Sequence, residues 1–430
     1  MPILLIGTLD TKGVEFQFVR DLLRSHGLDT YVIDAGVLAP PAFPPNLSRN
    51  EVFRAAGTTL DAVVRANERG QAVELAAKGA AKIVCDLHAQ GKVDGVFGLG
   101  GSAGTTIATA AMRALPFGVP KLMVSTLASG QVRPFVGVRD ILMMHSVVDI
   151  SGINRISRTV LTNAANAMAG MVQGAKNQRR PSLGFEEKPL ITATMFGVTT
   201  PCVEAARKQI ESAGYEVLVF HSTGTGGMTM ESFIRDGIIA GVLDITTTEL
   251  ADELVGGILT AGKDRLTAAA LRGVPQVISV GALDMVNFGP RDTVPEKFRL
   301  LTPAPSPPAR RGEKDGERRF YQHNANVTLM RTTPAENDRL GKEIAEKASA
   351  AQGPTAILLP LKGVSAIDRE GQPFWWPEAD QALFQSIRNW VGPQVKVIEL
   401  DLHINDAEFA RNAAETLLAM IKSEPEASAN

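Results

Sequence analysis

Cysteine is nearly absent. Only Cys85 and Cys202 occur in the 430 residues, too few for a disulfide framework, and a reducing cytoplasm is the compartment that fits. A charge surplus is missing as well. The formal net charge is −2, without the basic excess or stripe of a nucleic-acid binder, so nucleic acid is not an expected partner. No apolar run reaches membrane-spanning length, which argues against a membrane partner. The opening MPILLIGTLDTKG has neither a basic flank nor a cleavage site. It reads as a first buried strand and not as a signal peptide. The nucleophile elbow G-x-S-x-G, the zinc motif H-E-x-x-H and the protein-kinase set do not occur. Cys85, Asp86 and His88 fit no standard zinc spacing.

What remains is ordinary globular composition, 44% hydrophobic and 21% charged, in a chain long enough for two domains. The first half opens with a continuous apolar strand (Ile3–Ile6), a Gly/Thr/Asp turn, a helix with an apolar stripe ending at Gly27, and a strand at Thr30–Ile33. That is a βαβ unit, and an uninterrupted apolar strand implies burial on both sheet faces. The second half repeats the order. LITATMFGVTT leads into a helix, Gly214 ends it, and Glu216–Phe220 is the next strand. KVDGVFGLGGSAGT is echoed by GIIAGVLDITTTEL, and FGVPKLMVSTLASG by RGVPQVISVGALDM. The prediction is α/β: two Rossmann-like, doubly wound parallel-sheet domains, pseudo-repeated, at 1–180 and 181–430. The polar stretch Lys176–Pro189 marks the boundary. A Pro-rich, disordered insertion is expected near 301–319.

In such sheets ligands sit beyond the carboxyl ends of the strands. In the first half, three of the four strand ends are rich in Gly, Ser and Thr, and two of them open helices. Gly100-Gly101-Ser102-Ala103-Gly104-Thr105-Thr106 opens a helix, and Gly7-Thr8-Leu9-Asp10-Thr11-Lys12 opens another. Backbone amides at a helix start suit phosphate oxygens. Thr126, at a third strand end, would add a hydroxyl, and Asp10 could hold Mg, since hard oxygen ligands suit that ion. Two readings of the glycine turn stand. It is a phosphate cradle, or it only lets a helix pack closely on a strand. The turn lacks the Gly-Lys-Ser/Thr of a Walker loop. It matches G-x-G-x-x-A at Gly98, Gly100 and Ala103, yet the strand Lys121–Val124 ends in Ser125 and Thr126 without the acid that grips a ribose, which counts against an NAD-type oxidoreductase. A second, small anionic ligand has candidate partners in Arg139, Asp244, His323, Asn324 and Arg331. The competing reading makes these residues helix caps, solvated charges and turn residues.

The set IGTLDTKG, GLGGSAGTT, STLASG, HSTGTGG, HNANVTLMRTT and LLPLKGVSAID, in this order over nearly the whole chain, resembles uncharacterised protein family 0261. That family spans bacterial proteins and the inhibitory N-terminal domain of a tomato tobamovirus-resistance protein. The resemblance implies an ATP-type nucleotide site in the N-terminal domain and a homodimer or higher homo-oligomer. The chain departs from the family pattern in its Pro-rich insertion and at Ala325, where a proline is expected. With SEPEASAN as the last residues of the sequence, the barrel that follows in many relatives is not expected. The expected function is a cytoplasmic ATP-binding protein; if it is an enzyme, the expected class is an ATP-dependent transferase or ligase acting on a small anionic metabolite, with metal-assisted phosphate chemistry relying on Asp10 or Asp244. The alternative is a nucleotide-regulated binding or inhibitory protein without turnover.

Overall fold

The computed structural model describes residues 1–178, 188–299 and 318–423. The core of the predicted boundary, 179–187, and most of the predicted insertion, 301–317, lie outside them. The chain divides into two units, Met1–Phe185 and Glu186–Asn430.

The first unit runs β1 (Ile3–Gly7), α1 (Leu9–Ser25), β2 (Thr30–Asp34), α2 (Arg49–Ala55), α3 (Leu60–Ala66), α4 (Arg69–Ala89), β3 (Gly95–Gly100), α5 (Ser102–Arg113), β4 (Lys121–Ser125), α6 (Arg133–Val136), β5 (Leu142–His145) and α7 (Arg155–Gln178). Its strands are all parallel, in the order β2-β1-β3-β4-β5. Every residue of β1 is buried. Successive side chains of a strand point to opposite faces. Ile3 and Leu5 accordingly pack with α1 and α7, while Leu4 and Ile6 pack with α2, α4 and α5. This is the two-sided burial that the apolar runs imply.

The second unit runs β6 (Leu190–Met195), α8 (Thr200–Ser212), β7 (Glu216–His221), α9 (Thr225–Asp236), β8 (Ile239–Thr246), α10 (Glu249–Val255), α11 (Ala268–Arg272), β9 (Gln276–Gly281), β10 (Met285–Phe288), α12 (Glu296–Arg299), β11 (Phe320–Asn324), β12 (Val327–Arg331), α13 (Pro334–Ser349), β13 (Thr355–Pro360), α14 (Pro377–Trp390), β14 (Lys396–Leu400) and α15 (Ala407–Ser423). Its parallel sheet has the order β7-β6-β8-β9-β13-β14. The first four strands, β7-β6-β8-β9, repeat the arrangement β2-β1-β3-β4 of the first unit. The inserted β10, β12 and β11 form a separate antiparallel sheet. Among the described residues no helix is long and apolar enough to cross a membrane.

Close packing of α5 on β3 rests on glycine. A Cβ on Gly98 would lie 2.4 Å from the Ala108 Cβ and 2.8 Å from the Met123 sulfur. Gly98→Leu is therefore expected to destabilise the first unit by about 1–3 kcal/mol through overpacking. Denaturant unfolding followed by circular dichroism checks this. A midpoint equal to that of the parent would contradict the packing role.

Candidate functional site

In the first unit the strand order reverses between β1 and β3. From β1 the chain enters α1 on one face, and from β3 it enters α5 on the other. Such a switch point leaves a crevice at the carboxyl edge of the sheet. Both helices begin there, each after a single intervening residue, Thr8 between β1 and α1 and Gly101 between β3 and α5. Hydrogen bonds link the neighbouring strand ends. The Ala35 N–H donates to the Gly7 carbonyl at 2.8 Å, the Thr126 N–H to Gly100 at 3.3 Å, and the Ser146 N–H to Ser125 at 3.1 Å.

The glycines of the turn separate into two kinds. Gly100 and Gly104 are packing residues. A Cβ on Gly100 would lie 3.0 Å from the Gly104 Cα, and one on Gly104 would lie 3.0 Å from the Leu99 carbonyl oxygen. Gly101 is different. A Cβ there would meet only the Thr126 hydroxyl, at 3.7 Å. It precedes the first turn of α5, where no side chain caps the amides. Ser102 beside it is exposed, and Thr126 is half-buried. Thr105, by contrast, is fully buried. Its hydroxyl reaches the Gly101 carbonyl and the Ser125 hydroxyl, both at 2.7 Å, and fastens α5 to β4.

The loop Gly7–Lys12 is organised by buried acids. Asp34, at the end of β2, accepts the N–H groups of Leu9 at 3.1 Å and Gly36 at 3.0 Å, and pairs with Arg49 at 2.7 Å. Asp34 is the acid at the strand beside β1 that a ribose would need, and these bonds occupy it. Asp10 accepts the Leu38 N–H at 2.8 Å and lies 3.8 Å from Arg49. A Mg ion at Asp10 would face that guanidinium at close range, so the residues present do not fit the metal. Among the described residues no group of three His, Cys, Asp or Glu side chains is placed to hold one. Thr8 and Thr11 hydrogen-bond each other at 2.7 Å. Gly7 has a packing reason of its own, because a Cβ there would strike the Phe16 ring. Lys12 breaks the helical geometry of α1, with φ −128° and ψ 21°, and donates its ammonium to the Ile150 carbonyl.

The candidates for a second ligand are divided between the units, Arg139 in the first and the other four in the second, where His323 and Asn324 lie at one end of β12 and Arg331 at the other. Arg139 caps the carboxyl end of α5 by donating to the Arg113 carbonyl at 3.2 Å, at the other end of that helix from Gly101. His323 and Asn324 are exposed where β11 turns into β12, and the Asn324 side chain closes the turn on the Asn326 N–H at 2.8 Å. Arg331 is buried at the opposite end of β12. Asp244 is buried too, gripped by Arg265 through both carboxylate oxygens at 2.5 and 2.6 Å and bonded by the Thr194 hydroxyl at 2.7 Å.

Arg265, absent from the sequence-based candidates, centres this cluster. It also bonds Glu249 at 2.7 Å and approaches Glu231 at 3.4 Å. Burial works against its charge, but Asp244, Glu249 and Glu231 outweigh that and raise its pKa. A second buried cluster surrounds Arg331, which donates to Asp380 at 2.6 Å and to the Phe374 carbonyl at 2.7 Å, and lies 3.7 Å from Asp368. Asp284 accepts the Ser365 hydroxyl at 2.7 Å. One oxygen each of Asp284 and Asp368 is buried without a hydrogen-bond partner. A proton held between acids satisfies such oxygens. Burial, reinforced by the Asp368 charge, pushes Asp284 up to about 8. Burial likewise lifts Asp380 to about 7 against the pull of Arg331. His403 accepts the Asn405 N–H at Nδ1, so its proton is on Nε2, which donates to the Ser365 carbonyl at 2.9 Å.

Residues 1–177 match the family model described as Uncharacterised protein family (UPF0261) N-terminal domain, and residues 188–421 the one described as its C-terminal domain. A UPF0261 protein of Clostridium tetani is 50% identical over 421 residues, covering 98% of this chain and 99% of its own. The ToMV resistance protein Tm-1(GCR237) of Solanum lycopersicum is 39% identical over 435 residues. That match takes in 96% of this chain but 55% of the tomato protein. Among solved structures, a UDP-N-acetylglucosamine 2-epimerase from Rickettsia bellii matches at 10% identity over 64% of this chain and 77% of that one. Its TM-score of 0.22 carries no argument about the site.

The two buried clusters predict different responses. Removing one partner of a buried ion pair leaves an uncompensated charge, so Arg265→Met should destabilise the second unit by about 3–5 kcal/mol. An unchanged unfolding midpoint would refute that. For Asp284 the folded-state pKa of about 8 lies above the unfolded carboxylate value of about 3.9. The protonated carboxyl's contribution is therefore full below pH ~4 and is lost as pH rises to about 8. Asp284→Asn, which imitates the protonated acid, should flatten this decline in melting temperature between pH 4 and 8. Parallel curves for parent and variant would show that Asp284 does not hold the proton.

Proposed function

The chain belongs to the uncharacterised protein family UPF0261, and from that premise we propose that its first unit binds an ATP-type nucleotide at the carboxyl edge between β1 and β3. Gly101 carries the reading. The surrounding glycines have packing reasons, and Gly101 has none, yet it stands at an uncapped helix start on a switch-point crevice. A residue without a Cβ lets phosphate oxygens approach the amides of the first turn of α5, where the helix dipole favours negative charge. Ser102 and Thr126 offer hydroxyls at the same lip. Lys12 offers a cation from the neighbouring helix start. Thr105 supports from behind by holding α5 to β4.

The reading favoured for activity is nucleotide-regulated binding without turnover. At this lip the two acids of the β1 and β2 ends, Asp10 and Asp34, are engaged by backbone amides and Arg49. Asp34 has both oxygens bonded, and Asp10 keeps only a buried Oδ1 without a hydrogen-bond partner, beside Arg49, so neither presents an exposed carboxylate to an attacking group as a general base must. A transferase or ligase acting on a small anionic metabolite is the competing reading. ATP consumption that rises when a small organic acid is added would establish it.

Gly101→Leu tests the site itself. The Leu side chain meets no packed wall, so the melting temperature should stay within a few degrees of the parent, while affinity for ATP falls at least a hundredfold in calorimetric titration. Retained affinity with an intact fold would assign the turn to packing and remove the nucleotide site from this lip.

A further inference from the structure

The segment after β5 is unusually constrained. Val147 has φ +67°, a left-handed conformation that strains a β-branched residue, and its side chain is 63% exposed. Gly152 is also left-handed, with φ +75°. Between these two bends, residues 148–151 form a short strap leading back toward α7. Two side chains of α1 hold its far end. Lys12 donates to the Ile150 carbonyl, and Glu15, itself buried, accepts the Gly152 N–H at 2.6 Å. At the near end, the Ser146 hydroxyl donates to the Val148 carbonyl at 2.7 Å. A small apolar void of about 10 Å³ lies beneath the strap, between Val124, Val148, Ile150 and Leu161. The strap is thus bent at both ends, imperfectly packed below, and tied to α1 at two points.

The two ties differ in kind. Glu15 is a buried carboxylate that reaches the exposed Gly152. Lys12 is half-buried, in the non-helical first turn of α1, beside the lip that carries Gly101. Strands β1 and β3 are paired neighbours, about 4.8 Å apart, so the starts of α1 and α5 face one crevice. On the nucleotide reading, a phosphate at the α5 amides would compete with the Ile150 carbonyl for this ammonium. Both bonds are charge-assisted by the ammonium, and a phosphate adds the attraction of an opposite charge that a neutral carbonyl lacks.

We propose that the strap 148–151 is a latch that the nucleotide's phosphates release, by drawing Lys12 off the Ile150 carbonyl. This rests on the nucleotide reading of the Gly101 lip and adds its mechanical consequence. Once Lys12 turns to phosphate, the strap keeps the Glu15 tie at Gly152, and the strained bend at Val147 relaxes. Binding is then reported at the surface of the unit by the exposed Val147 and its neighbours, without any covalent step.

Hydrogen exchange read by mass spectrometry over residues 146–153 tests the latch, on the full chain, with ATP and with adenosine as probes. ATP should speed exchange of the strap amides at least tenfold, and adenosine, which lacks phosphate, should not. Lys12→Met should show fast exchange before any nucleotide is added, and ATP should add nothing. Lys12→Arg keeps a cationic donor and should behave as the parent does. Melting-temperature shifts with ATP are recorded on the same samples. A shift with ATP but unchanged or slowed strap exchange overturns the latch and leaves the nucleotide reading standing. No shift with ATP overturns the nucleotide reading and the latch with it. Parent-like exchange in Lys12→Met, in a variant that melts normally, also overturns the latch.

Discussion

Right-handed crossover connections are the constraint on which the first unit depends. With the strand order β2-β1-β3-β4-β5, one handedness sends the chain from β1 through a helix on one face and from β3 through a helix on the other. Two helix starts then diverge from adjacent strand ends, and neither helix covers the gap. That gap follows from topology and not from any particular side chain. Side chains decide only what it can accept, and in this unit it is bordered by Gly101, Ser102, Thr126 and Lys12. The buried acids Asp10 and Asp34 fix the loop shapes around it.

Burial decides which charged residues are available for chemistry. Asp244 sits near the carboxyl end of β8, where ligand-binding residues of this architecture belong, and Arg331 ends β12 of the antiparallel sheet. Both are buried and multiply bonded within the protein. A carboxylate matched by a bidentate guanidinium has few lone pairs left for a substrate. Around Arg331 the acids outnumber the base, and burial turns that excess into bound protons near neutral pH. These clusters keep their charges engaged inside the second unit, and the raised carboxyls predict a stability that depends on pH, whereas Ser102 at the glycine lip of the first unit is exposed.

The sheet architecture was legible because each strand is a short apolar run bounded by turn residues, and two-sided burial leaves no other use for such runs. The repeat was legible from order alone, with a Val-Pro before the fourth strand of each half. The roles of individual polar residues were less so. Asp244 meets Arg265 across 21 positions of sequence, and Arg331 meets Asp380 across 49. No local pattern announces such a partner. The packing glycines could not be told from Gly101 in the string GLGGSAG, because the difference lies in what a Cβ would strike, and Ala108, Met123 and Leu99 come together there only in the folded chain. His323 and Asn324 carried a signal that pointed elsewhere. Asn-Ala-Asn between two strand-like runs is hairpin chemistry, and the structure places a turn there.

The two copies of the fold treat the same strand end differently. In the first unit, β3 runs into Gly101 and the uncapped start of α5. In the second, the corresponding β8 runs into Thr246, Thr247, Thr248 and Glu249, all wholly buried. Glu249 accepts the N–H groups of Gly224 and Gly227, at 2.7 and 3.0 Å, at the start of α9. An internal carboxylate thus occupies a helix start of the kind that in the first unit faces outward. Arg265 then neutralises Glu249 together with Asp244. Anion recognition at a helix start and an internal ion pair use the same physics, amide donors and a dipole meeting negative charge. The second copy satisfies that demand with its own side chains and gains rigidity. The first leaves it unmet within the chain, which is the condition for meeting it with a ligand.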